Sequence, residues 1–141
     1  MVGVIIVAHL RLAEELLNVA RIVTCSELSN FSTVSINIDD NPDQAREKLL
    51  AAVKKVGSRD GTVIMVDMFG GTPSNLSLSL LSRGTIEIVT GVNLPMVMEA
   101  ASISHKASLP DLIGLLTASG QLGIRSAGTI LEKNVIPGKE L

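Results

Sequence analysis

A chain of 141 residues is the length of one domain, so a single domain over 1–141 is expected. Its 12 Lys and Arg against 14 Asp and Glu give a formal net charge of −2, and its only aromatic residues are Phe31 and Phe69. That excludes the basic footprint of a DNA, RNA or anionic-membrane binder, and the exposed rings of a base-stacking module. One cysteine, Cys25, excludes an internal disulfide framework and a multi-cysteine metal site. No apolar run reaches the roughly 18 residues of a membrane span, and no signal-peptide pattern opens the chain, so a reducing, cytoplasmic setting is expected.

Val2–Ala8 is an unbroken apolar run, as suits a strand buried on both faces. Leu12, Ala13, Leu16, Leu17, Ala20 and Val23 then recur at helical spacing. Phe31–Ile38 alternates loosely and reads as a second strand. Asn41-Pro42-Asp43-Gln44 predicts a capped helix start, with Ala45, Leu49, Ala52, Val53 and Val56 on its inner face and Gly57 at its end. Thr62–Asp67 is a third buried strand. After the Gly70-Gly71 turn, Thr72-Pro73 reads as the cap and first turn of a helix carried by Leu76–Leu81 and stopped near Gly84. Thr85–Thr90 is a fourth strand. Asn93 caps a short helix to about Ile103, and Ser108-Leu109-Pro110-Asp111 opens another whose inner stripe is Leu112, Leu115 and Leu116. Thr129–Ile136 is a short, β-prone tail. Strand and helix alternating four times predict an α/β fold: an open, doubly wound parallel sheet with helices on both faces.

In such sheets ligands sit beyond the carboxyl ends of the strands, where strand order reverses. His9 follows the first strand, Asp39 and Asp40 the second, Asp67 and the loop Met68-Phe69-Gly70-Gly71-Thr72 the third, Gly91 and Asn93 the fourth. A strand order of 2-1-3-4 would bring His9 and Asp67 into one crevice. The carboxylate would then accept the Nδ1–H bond and leave Nε2 as a free nucleophile or base. A glycine turn entering a helix N-terminus is suited to a phosphoryl group, which points to Gly70, Gly71 and Thr72. No GxxxxGK[ST] and no GxGxxG occurs, so a protein donor is expected rather than a nucleotide, and no metal or cofactor. Elsewhere the plain readings hold: His105 as solvated surface, Cys25 as structural, Asp39 and Asp40 as helix-start charges, and Met65, Met68, Met96 and Met98 as core filler.

Val66–Leu78, VDMFGGTPSNLSL, resembles the D-x-x-G-G-[ST]-P-x-N segment of the mannose-type IIA components of the bacterial phosphoenolpyruvate:sugar phosphotransferase system. Gly91–Ala100, GVNLPMVMEA, is similar to that family's G-x-N-x-P-M stretch, and Val2–His9, VGVIIVAH, to its opening strand. The resemblance runs in order over about residues 1–125. It implies a phosphohistidine at His9, a supporting carboxylate at Asp67, and phosphoryl contacts from Gly70, Gly71 and Thr72. It implies HPr as donor, and a IIB component as acceptor that passes phosphate to a sugar with the membrane IIC and IID subunits. It implies sheet order 2-1-3-4 with a fifth, antiparallel edge strand exchanged across a homodimer, for which Thr129–Ile136 is the candidate, and a stand-alone protein with no IIB domain following. The family usually carries a small residue, often Gly, after the histidine. Here Leu10 and Arg11 follow, expected to narrow the docking surface and to steer a phosphoryl group or alter partner choice. Three other readings stay open: a regulatory phosphocarrier read by a binding partner, the phosphotransfer subunit of a dihydroxyacetone kinase, and a flavodoxin-like small-ligand binder.

Overall fold

The computed structural model describes residues 1–134. Ten elements follow in order: β1 (Gly3–His9), α1 (Leu12–Thr24), β2 (Phe31–Ile36), α2 (Pro42–Val56), β3 (Thr62–Val66), α3 (Thr72–Leu78), β4 (Ile86–Thr90), α4 (Leu94–Ile103), α5 (Leu109–Leu122) and α6 (Ala127–Asn134). The four strands form one sheet in the order β2-β1-β3-β4, and every pair is parallel.

Handedness decides which face each helix covers. Right-handed crossovers put helices on opposite faces when the chain steps in opposite directions along the sheet. The step from β1 to β2 goes one way; the steps to β3 and then β4 go the other. Accordingly α1 packs on the face of Val4, Ile6 and Ala8, where α4 and α5 join it through Met96, Val97, Ala100, Leu112 and Leu116. On the other face, Ile5, Val7, Ile64 and Val66 meet α2 through Ala45, Leu49 and Ala52, with Leu76 of α3 against them. Consecutive residues of β1 thus enter two different cores, which is why its sequence is a continuous apolar run. Each fully buried Ile or Val there contributes roughly 1.5–3 kcal/mol.

Local signals set the helix boundaries. Asn41 accepts a hydrogen bond from the Gln44 N–H at 2.8 Å while the Gln44 side chain accepts from the Asn41 N–H, a complete capping box worth about 1 kcal/mol. Asn93 and Ser108 cap α4 and α5 through the N–H groups of Met96 and Asp111. The second strand ends at Ile36, and Ile38 is 92% exposed. The third helix starts earlier and is shorter than the apolar spacing predicts: Gly71, not Thr72, is its cap, and Leu78 its last residue.

The tail departs from expectation. Residues 129–134 of the expected strand Thr129–Ile136 lie in the helix α6; residues 135 and 136 lie outside the described residues. A strand needs a neighbouring edge to satisfy its N–H and C=O groups, and no ladder joins the tail to β4 among the described residues. Residues 127–134 form a helix instead. The Ile130 N–H donates to the Ser126 carbonyl at 3.1 Å, and Leu131, Glu132 and Lys133 are good helix formers.

Candidate functional site

The sheet registers β1 against β3, with Val7 opposite Val66, so the next residues along both strands emerge together at the carboxyl edge. There Asp67 holds His9 twice with one atom. Its Oδ2 accepts the His9 backbone N–H at 2.9 Å and lies 2.7 Å from His9 Nδ1. Its other oxygen accepts the Met68 N–H at 2.9 Å. Burial pushes the Asp67 carboxyl up, but the His9 N–H, the His9 ring and its charge, and the Met68 N–H together outweigh it and hold the group below the ordinary carboxylate value. Asp67 is therefore ionised at neutral pH and can only accept, so the proton of this contact belongs to His9 Nδ1.

Asp67 is nearly buried, at 11% side-chain exposure, while His9 is open at 47%. The carboxylate is thus shielded and the imidazole reachable. Gly71 lies beside the ring: a Cβ placed there would stand 3.2 Å from His9 Cε1 and 3.7 Å from Nε2. Gly70 turns the chain at φ +85°, a conformation that favours glycine. The N-terminal amides of α3 begin at Thr72, although no side chain caps this helix.

Residues 3–116 match the mannose-type IIA family, described as the fructose IIA component of the phosphotransferase system. The chain belongs to this family. It is thus a component of the phosphotransferase system, a transferase assembly that couples phosphocarriers to sugar uptake. The IIA chain is 30% identical over 108 residues to the fructose-specific EIIA component of Bacillus subtilis, covering 76% of this chain and 74% of that protein. It is 27% identical over 127 residues to the mannose-specific EIIAB component of Escherichia coli K12, covering 89% of this chain but only 39% of that longer protein. In three dimensions it is similar to the mannose/sorbose specific IIA subunit from Enterococcus faecalis, with a TM-score of 0.79 and 28% identity over 99% of this chain and 98% of that one. Those names carry fructose, mannose and sorbose, so membership defines the phosphotransfer class without defining the sugar.

Within the IIA chain the fold brings His9, Asp67 and Gly71 together, and Gly70 and Thr72 flank them in the chain. Asp39 and Asp40 end up elsewhere: Asp40 accepts from the Asn37 N–H and from Lys48 Nζ, closing the turn before α2. His105 is exposed between α4 and α5, in a groove shared with Met1 and Asp60 at the opposite edge of the sheet. Met65 and Met96 are core residues, but Met68 is not: it is 55% exposed because it lies beyond the end of β3, where no layer covers it. Arg11 is exposed and pairs with Glu14 and Glu15 on α1, at 3.5 and 3.0 Å. Sequence reasoning missed the backbone N–H of His9 as a second tie to Asp67, because a main-chain donor leaves no trace in residue type. No helix among the described residues is long and apolar enough to cross a membrane.

Proposed function

We propose that the protein is a cytoplasmic phosphocarrier in which His9 accepts a phosphoryl group on Nε2 from phospho-HPr and passes it to a IIB component, and through it to sugar at the membrane IIC and IID subunits. The observation that supports this most is the 2.7 Å contact between His9 Nδ1 and Asp67 Oδ2, which in the neutral imidazole puts the proton on Nδ1 and keeps Nε2 as the free nitrogen of a half-exposed ring. In the transfer, the P–N bond of the donor's protonated phosphohistidine breaks as the P–Nε2 bond forms. The bonding pair returns to the donor ring, which leaves as neutral imidazole. His9 keeps its Nδ1 proton, and the positive charge its ring gains is paired with the Asp67 carboxylate, so no proton has to move. Nitrogen suits a relay because the P–N bond keeps a high transfer potential. The backbone amides of Gly70, Gly71 and Thr72 are the proposed phosphoryl contacts, stabilising charge at the entry to α3.

The working unit is taken to be one domain over 1–141 that pairs as a homodimer. Exposed apolar side chains favour a partner copy: Ile22 and Val23 on α1, and Leu122, Ile124 and Leu131 near the C-terminus. Light scattering tests this, and a monomer at micromolar concentration overturns it.

Incubation with phosphoenolpyruvate, enzyme I and HPr should add one phosphoryl group by intact mass, acid-labile and base-stable. His9→Ala should abolish the adduct and His105→Ala should retain it. An adduct surviving in His9→Ala overturns the assignment.

A further inference from the structure

The residue after His9 sits in a conformation it disfavours. Leu10 has φ +52°, one of three non-glycine residues with positive φ among the described residues. A left-handed leucine sets its Cβ against the following carbonyl, a strain that glycine avoids and asparagine tolerates. The position is not slack: the Leu10 N–H donates to the Ile36 carbonyl at 2.9 Å, tying the turn to β2. Nor does the core repay the strain, because Leu10 is 54% exposed. Strain held at a reactive centre without a packing return points to use.

Leu10 has apolar company at the same edge. Met68 and Phe69, just past the end of β3, are 55% and 72% exposed. Met68 Cγ and His9 Cε1 both lie within 3.5 Å of where a Gly71 Cβ would stand, so the methionine and the imidazole both flank Gly71. The cation next in the chain, Arg11, is spent on Glu14 and Glu15. The large side chains left exposed at this edge, Leu10, Met68 and Phe69, are therefore apolar. A nucleophile must come within about 3–3.5 Å of phosphorus. A protein that delivers phosphate to Nε2 must therefore lay its own surface over this rim.

We propose that Leu10 is a specificity-determining residue: with Met68 and Phe69 it forms the apolar contact that selects the phosphoryl-donor protein. The inference rests on the phosphocarrier reading of His9. The residue acts on recognition and not on the reacting atoms, so its removal should weaken the encounter with a protein donor and spare the chemistry.

Two donors separate these effects. Phospho-HPr needs a docking surface. Phosphoramidate needs none: its P–N bond breaks as P–Nε2 forms, and ammonia leaves with the bonding pair. Leu10→Asn keeps the left-handed backbone and removes the apolar group, whereas Leu10→Met keeps an apolar group of similar volume. Expected for Leu10→Asn is a rise in KM for phospho-HPr of about tenfold or more, with kcat within about threefold. The rate with phosphoramidate should change less than about twofold, and thermal unfolding should show no loss of stability. Leu10→Met should recover most of the KM. An unchanged KM in Leu10→Asn overturns the proposal, as does a parallel loss with both donors, which would make Leu10 a positioning residue for the ring. If wild-type His9 takes phosphate from neither donor, the phosphocarrier reading falls and this inference with it. Labelling by phosphoramidate with KM unchanged for phospho-HPr removes the inference alone.

Discussion

The chain leaves β1 for α1 in two residues, Leu10 and Arg11, but takes five, Asp67 to Gly71, to pass from β3 to α3. Both turns stand at the same edge of the sheet, on neighbouring strands. The short turn reverses direction on a leucine with positive φ; the long one does so on Gly70 at φ +85°. The first presents the imidazole with a bulky apolar residue beside it. The second supplies the carboxylate and then clears space at Gly71. On the proposed reading, one turn carries reactivity and selection, and the other carries orientation and room.

Exchanging features between the turns tests this division. Asp67→Asn keeps the shape of the long turn but removes the charge that fixes the Nδ1–H tautomer. Phosphorylation of His9 should slow by about ten- to a thousandfold, less than in acyl-transfer triads, because no hydroxyl has to lose a proton. Single-turnover transfer from phospho-HPr reads this, and an unaltered rate removes Asp67 from the site. Gly71→Ala crowds the ring from the other side. Gly71 has an ordinary extended backbone at φ −83°, so stability should hold, while the methyl group near Nε2 should slow transfer by about tenfold. Gly70→Ala reverses that pattern. Nothing lies within 4 Å of its Cβ position, but the positive φ should cost about 1–2 kcal/mol in urea unfolding, with transfer in the folded protein largely kept.

Acid gives the smallest effect. The Asp67 carboxyl titrates lower when folded than when unfolded, so its contribution to stability is complete above its unfolded value and is lost as pH falls through the folded one. Between neutral pH and pH ~3 the wild type should lose more stability than Asp67→Asn. Equal losses in both proteins would mean that the ties to His9 add nothing to folding.

Much of this was legible in the chain, and particular residues show why. Val2–Ala8 is apolar without alternation because β1 is covered on both faces. Asn41, Asn93 and Ser108 announce their helices through caps that act locally. His9 and Asp67 could be paired because strand order alone makes their ends neighbours. The third helix was misplaced for an equally physical reason. Its buried positions are Pro73, Ser74 and Ser77, all small and two of them polar, and the two serine hydroxyls have no hydrogen-bond partner among the described residues. A search for apolar spacing slides past such a stripe onto Leu76–Leu81. The tail misled because β-prone residues make a strand only where an edge receives them, and that is not a local property.

The double tie between Asp67 Oδ2 and His9 also bears on how the protein assembles. The two residues are 58 positions apart, and the carboxylate holds the histidine's main chain as well as its ring. The imidazole thus takes its orientation from the docking of β1 onto β3, a long loop closure that local helix formation cannot anticipate. During refolding, helical signal should return first, and the capacity of His9 to take up phosphate should appear only with the final, slowest phase. The phosphoryl group would then serve as a chemical stopwatch for sheet formation.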